Sequence, residues 1–533
     1  MKTALCCLLL ALLVHATDAI AQGSPKPAPK QLAAGPIVTT DKGKVEGKLD
    51  EVTGKPMFLG IPYAASPAGA LRWKPPAAVT AWPGVRKAVQ FGKRCPQVDD
   101  SIWSKPTPTS EDCLYLNVWT PATGSGRRPV MFYIHGGGFL AGDSGDMGLG
   151  PLLNGAHLAA EREMVVVTIN YRLGALGFLV HPALDAENGG RSGNYGLLDM
   201  IAALKWVQAN IENFGGDPKK VMIFGHSAGA TATCSVLVSP LAKDLFASAA
   251  IQSGWCGAAT AQERRDAGVK VAEKLGCRGN DANAATCLRR LQPRNILREV
   301  GAFDRSYYIF APWQTSHTLA AGATVDGYVL PDVPLNMLKA GTHNHVPLII
   351  GSTHDEFEFF ISDLGRIITC HDHIDYLRKQ FGTDANTVLQ HYPCPFGFAR
   401  AASVQAGGDF YFTCPMRRAA RAAAASQTEP VYQYLFSYPV NSITLIKASH
   451  LSDIPYVFGT FLETATPAVW YRHMELYWTN FAGTGDPNAQ GLATWSRYDR
   501  NRDNFMNFGL LITEETNLKN GRCDFWDTWQ GPF

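Results

Sequence analysis

The chain has 533 residues, 46% of them hydrophobic and 18% charged, with a formal net charge of +2. Length and apolar content support a sizeable core and exclude disorder for most of the chain. The near-neutral balance, without basic or acidic blocks, argues against a nucleic-acid surface, which needs clustered Lys and Arg.

The first feature in chain order is a secretory signal. Lys2 gives the positive end, residues 4–14 the apolar core, and Ala19-Ile20-Ala21 the cleavage site. A secreted or periplasmic protein is therefore expected, with no stable membrane anchor, because no apolar run after residue 20 is long enough to span a bilayer. Residues 22–36 form a Pro-rich linker, and residues 37–533 are read as one domain. Export would place the ten cysteines left after loss of Cys6 and Cys7 in an oxidising space. Cys95 with Cys113, and Cys277 with Cys287, close short loops and are the best pairs. Cys234, Cys256, Cys370, Cys394, Cys414 and Cys523 cannot be paired from sequence.

Ile37–Thr40 and the stretch 43–47 alternate like an edge hairpin. The apolar stretch 129–134 predicts a buried strand that ends in His135-Gly136-Gly137-Gly138-Phe139. A second buried strand is predicted over 163–170, of the kind parallel sheets use. Residues 199–214 carry apolar side chains at helical spacing (Ile201, Leu204, Val207, Ile211) and stop at Gly215-Gly216-Asp217-Pro218. A strand over 220–224 leads into Gly225-His226-Ser227-Ala228-Gly229, and the small-then-apolar residues that follow read as a helix start. Further strands are predicted at 249–253 and 346–351, and the stretch 360–430 is mainly helical, expected to form part of a lid or pocket wall. Strands alternating with helices predict an α/β fold with a parallel sheet. Such sheets place ligands beyond the carboxyl ends of their strands. Three of the strands end there in chemically loaded turns.

The pentapeptide 225–229 is a weak signal alone, but strand, sharp turn and helix are the context that a G-x-S-x-G nucleophile requires. A serine hydroxyl needs a base, and the base needs a third group to hold it. Asp355 or Glu356, directly after a strand, can supply the acid. His450, in the polar segment Ser449-His450-Leu451-Ser452-Asp453, can supply the base. The glycines 136–138 let main-chain N–H groups point inward at a developing oxyanion. His343, His345, His371 and His373 lack zinc-like spacing, so no metal is expected. Nor is any cofactor.

Ordered motifs along the chain carry a resemblance. They include Phe58-Leu-Gly-Ile-Pro-Tyr-Ala64, Ser110-Glu-Asp-Cys-Leu-Tyr-Leu-Asn-Val-Trp119, His135-Gly-Gly-Gly-Phe139, Asn170-Tyr-Arg172, Gly225-His-Ser-Ala-Gly229 and Gln252-Ser-Gly254. From about residue 37 to about residue 530 the chain resembles the type-B carboxylesterase and lipase family, α/β-hydrolases that include cholinesterases, bile-salt lipases and bacterial para-nitrobenzyl esterases. The resemblance implies a large, mostly parallel sheet flanked by helices, with helical insertions around the active-site mouth. It makes Ser227 the nucleophile, His450 the base and Glu356 the orienting carboxylate. Gly137, Gly138 and Ala228 become the oxyanion hole, and Phe139 and His226 substrate contacts. The Cys95–Cys113 and Cys277–Cys287 bridges match family disulfides, and Arg72 with Glu111 and Arg172 with Asp199 match buried ion pairs. Trp103 stands at the spacing of the cholinesterases' cation-binding tryptophan.

The chain departs from the pattern at His226, where the family has Glu, at Phe357, where it has Gly, and at Met200, where it has Gln. These departures bear on rate and pH profile rather than on reaction class. The expected partner is a small-molecule or lipid ester. The rival readings are a non-enzymatic adhesion protein on the same scaffold and a hydrolase of lipid, polymer or phenolic esters.

Overall fold

An eleven-stranded sheet forms the centre of the molecule. In chain order its strands are β1 (Lys48–Leu49), β2 (Pro56–Pro62), β3 (Tyr115–Trp119), β4 (Arg128–Ile134), β5 (Val165–Ile169), β6 (Gly216–His226), β7 (Ser248–Gln252), β8 (Leu348–Thr353), β9 (Val431–Phe436), β10 (Asn504–Phe508) and β11 (Ile512–Thr516). Across the sheet the order is β11-β10-β9-β8-β7-β6-β4-β5-β3-β2-β1. The strands from β10 to β5 in that order are parallel. The edges, β11 on one side and β3, β2 and β1 on the other, run antiparallel. This computed structural model describes residues 35–97, 108–145, 152–300, 322–361, 368–394, 399–439, 447–460 and 468–529. The signal segment and Trp103 lie outside them.

The central strands are apolar at nearly every position because both faces of the sheet are covered. In β4, Val130, Phe132 and Ile134 enter one core while Met131 and Tyr133 enter the other. Val221 and Ile223 of β6 likewise part from Met222 and Phe224. The helices Tyr195–Asn210, Ala228–Val238 and Cys414–Ser426 cover the first face. Ala156–Arg162 and Ala468–Thr484 cover the second, the latter through Met474, Tyr477, Trp478 and Phe481. A third core gathers Leu140, Leu288, Phe357, Phe360, Tyr376, Phe410 and Trp526, largely from the helical stretches outside the sheet. Residues Pro36–Phe533 form one packed unit.

Several boundaries move. The N-terminal hairpin, Ile37–Thr40 against Gly43–Glu46, joins Val85–Lys87 in a separate three-stranded sheet rather than edging the central one. The helix predicted from residue 199 begins at Tyr195, and β6 takes up Gly216 through Pro218, which had read as a helix end. Within 360–430 the described residues form helices at Cys370–Phe381, Ala385–His391, Arg400–Gly408 and Cys414–Ser426, with a π turn at Asp409–Thr413. Cys95–Cys113 and Cys277–Cys287 are bonded, and the other six cysteines pair as Cys234–Cys256, Cys370–Cys394 and Cys414–Cys523. Among the described residues no helix is long and apolar enough to cross a membrane.

Candidate active site

Ser227 sits between the end of β6 at His226 and a helix that starts at Ala228. Its backbone lies at φ 61°, ψ −126°, a region that non-glycine residues enter only where the surroundings force them. The glycines on either side provide that force. A Cβ on Gly229 would collide with the carbonyl oxygen of Ile134 in β4, and one on Gly225 with the carbonyl oxygen of Gly229. Helix and strand can therefore close on each other only with both side chains missing. The turn is pinned from the other side, where the Ser227 N–H donates to the Gln252 carbonyl at 3.0 Å. The hydroxyl is left at the carboxyl edge of the sheet, over a helix N-terminus that favours negative charge.

The glycine loop after β4 runs alongside. Gly137, Gly138 and Phe139 have φ of 106°, 64° and 61°. A Cβ on Gly136 would stand 3.0 Å from Ser227 Cβ, so the loop backs directly onto the serine. Among the described residues the N–H groups of Gly137, Gly138 and Ala228 have no protein acceptor.

Glu356 follows β8, fully buried, in a short 3-10 turn. One carboxylate oxygen accepts from the Thr353 N–H at 2.7 Å and the other lies 2.5 Å from His450 Nδ1. The neighbouring Asp355 lies 3.1 Å from His354 Nδ1, so of the two acids it is Glu356 that faces His450. His450 Nε2 is buried without a hydrogen-bond partner, and Ser227 Oγ does not bond to it in this structure. The ring of His226, the residue before the serine, lies 4.3 Å from that of His450. Phe412 and Phe360 pack on the His450 ring with centroids at 4.6 and 5.1 Å, from the helical stretch expected to wall the pocket.

Burial sets the electrostatics. It pushes the Glu356 carboxyl up to about 7, against which hydrogen bonds and the Lys519 ammonium act, and it pushes the His450 imidazole down to about 3. Both shifts oppose charge, so the pair favours states with few charges until a donor or acceptor arrives. A second buried carboxylate, Asp453, stands one turn past His450. It accepts from Tyr434 Oη at 2.7 Å and Gln252 Nε2 at 3.0 Å, and burial raises it to about 6. Asp453 was missed in the sequence, although an acid three residues after the candidate base is a visible signal.

Two expected substrate contacts, His226 and Phe139, are buried side chains. His226 is fully buried and its Nε2 accepts from the Leu451 N–H at 3.2 Å, so the ring supports His450 from behind. Phe139 is 7% exposed and packs edge-on against Phe178 at 4.9 Å, inside the core. Arg72–Glu111 and Arg172–Asp199 do form ion pairs, at 2.6 and 2.7 Å. Of the clustered histidines, His373 is engaged by Ser403 Oγ and the Tyr392 carbonyl, and His343 by Gln427. Among the described residues no group of metal-binding side chains gathers.

A serine on a strained strand-to-helix turn, followed along the chain by an acid and then a histidine at the same sheet edge, is the layout of α/β-hydrolases. A solved structure titled PNB esterase matches this fold with a TM-score of 0.78 and 31% identity, over 92% of this chain and 99% of that one. The Carboxylesterase family matches residues 34–526, and the chain belongs to that family. It is 36% identical to a fumonisin B1 esterase of Sphingopyxis macrogoltabida over 89% of this chain and 86% of that protein. It is 32% identical to a para-nitrobenzyl esterase of Bacillus subtilis (strain 168), over 91% and 96%, and to a cholinesterase of Mus musculus, over 92% and 86%. The protein is a carboxylic ester hydrolase.

Proposed function

We propose that the protein is an exported serine esterase whose triad is Ser227, His450 and Glu356. The observation that carries this is the 2.5 Å contact of Glu356 with His450 Nδ1, which leaves the buried Nε2 unpartnered beside the serine turn. With its proton on Nδ1, His450 can accept only at Nε2. It takes the Ser227 proton as the hydroxyl attacks the ester carbonyl, then passes it to the departing alcohol. The N–H groups of Gly137, Gly138 and Ala228 receive the oxyanion. Water then cleaves the acyl-serine by the same steps in reverse. Residues 1–21 support passage out of the cytoplasm, to a secreted or periplasmic location.

Small-molecule esters are the substrate class, in keeping with relatives named for fumonisin B1, p-nitrobenzyl, acylcarnitine and cocaine. One observation favours a narrower reading. His450 hands its proton to the leaving oxygen, and Phe412, Phe360 and Phe359 crowd its ring, so an aromatic alcohol suits that side. A non-enzymatic role gains nothing from a chain that keeps all three triad groups.

The test is Ser227→Ala with p-nitrophenyl acetate. The triad reading expects kcat to fall by on the order of 10⁶. Retention of more than a few per cent of activity would remove Ser227 from the mechanism.

A further inference from the structure

We propose that Gln97 is a positioning residue, whose buried amide clamps the glycine loop and ties it to the ring closed by Cys95–Cys113. The proposal rests on the reading of the loop amides as oxyanion donors.

Every link of the clamp is a direct contact. Gln97 is 6% exposed. Its Oε1 accepts from the Gly142 N–H at 3.0 Å and from Arg94 Nη2 at 2.7 Å. Its Nε2 donates to the Gly142 carbonyl at 3.0 Å and the Cys95 carbonyl at 3.1 Å. Both lone pairs and both protons of the amide are thus used. Gly142 is held by both of its backbone polar groups, as a neighbouring strand would hold it.

Gly142 transmits the constraint. Its φ is 113°, and a Cβ there would lie 2.5 Å from His135 Nδ1 and 2.7 Å from the Gly136 carbonyl oxygen. A Cβ on Gly136 would in turn stand 3.0 Å from Ser227 Cβ, and one on Gly137 would meet the Ala141 carbonyl oxygen at 2.1 Å. Gln97 therefore fixes the residue on which the loop leans, within two contacts of the nucleophile. Arg94 reinforces the link, with Nε 3.0 Å from Asp143 Oδ2. The anchor is the disulfide, which ties Cys95 to Cys113 just ahead of β3. Ser144, further along, is pinned separately by Asn170 and Asn117. Loss of Gln97 therefore loosens the loop without freeing the segment.

Donors stabilise an oxyanion only at the right distance, and misplacement by about 1 Å lowers the rate by about 10²-fold. Gln97→Leu, which keeps the bulk and loses all four bonds, should lower kcat by about 10- to 100-fold. KM should stay within about threefold, and the inhibition constant of an aryl trifluoromethyl ketone, which adds to the serine as a tetrahedral hemiketal, should rise by the same factor as kcat falls. Gln97→Glu keeps the acceptor side and its pairing with Arg94 and should fall between, and it decides alone if the Leu variant does not fold. The clamp is overturned if kcat and the inhibition constant hold at wild-type values while only the melting temperature falls. A wild-type enzyme that the ketone does not inhibit would instead sink the Ser227 reading, and the clamp with it.

Discussion

Replacing Glu356 with Gln separates orientation from simple packing, because the structure fixes which way the amide must lie. The Thr353 N–H donates to one carboxylate oxygen at 2.7 Å, so the Gln carbonyl takes that place. The NH₂ group then falls where the other oxygen faces His450 Nδ1 at 2.5 Å. Two donors cannot share that contact, so Nδ1 gives up its proton and Nε2 gains it. An imidazole protonated at Nε2 cannot receive the serine proton. The equivalent change in a Ser-His-Asp protease lowers kcat about 10⁴-fold, about 5 kcal/mol of barrier. Stability should move the other way. The folded carboxyl titrates at about 7 against 4.5 for the free group, so the folded state binds the proton more tightly. That contribution to stability is present at low pH and is lost as pH rises through about 7. At pH about 8 the Gln variant, which has no charge to bury, should melt at or above the wild-type temperature. Steady-state hydrolysis of p-nitrophenyl acetate and thermal melts at that pH measure both. A kcat within tenfold of wild type would refute the tautomer argument.

Other predictions follow from single contacts. The wild-type rate should rise with pH through about 7, as the Glu356–His450 pair gives up its proton. The buried Lys519, which donates to the His354 carbonyl and Gln405 and pairs with Asp409, favours ionised Glu356. Lys519→Met should therefore move that limb to higher pH and Lys519→Arg should leave it in place, as read from pH–kcat profiles. Arg172→Met strands the buried Asp199 carboxylate and should cost about 3–5 kcal/mol in urea unfolding. Removing Cys234–Cys256, whose cysteines are 22 residues apart, should cost about 3 kcal/mol by the same measurement. Gly229→Ala should abolish soluble expression or activity, because its Cβ meets the Ile134 carbonyl.

The serine turn was legible because its geometry allows few residue types. Only glycine fits at 225 and 229, so the motif writes the packing into the sequence. The placing of Glu356 just after a strand was legible as well, since a recognisable apolar segment precedes it. The choice between Asp355 and Glu356 was not, because both sit on one turn and only the fold decides which faces His450. β9 was hidden. Its six residues are buried on both faces, so no alternation marks it. The burial of His226 and Phe139 was not legible, because adjacency to a reactive residue says nothing about which way a side chain packs. Gln97 gave no signal at all, since a lone amide in a loop resembles any solvated residue until its four partners are seen.

The most direct measurement traps the covalent intermediate. Wild-type protein mixed with p-nitrophenyl acetate, quenched in acid within the burst and digested, should carry one acetyl group, on the peptide that contains Ser227. The same experiment on Ser227→Ala should give neither burst nor adduct. Acetyl on another residue, or a burst that survives the substitution, would contradict the account.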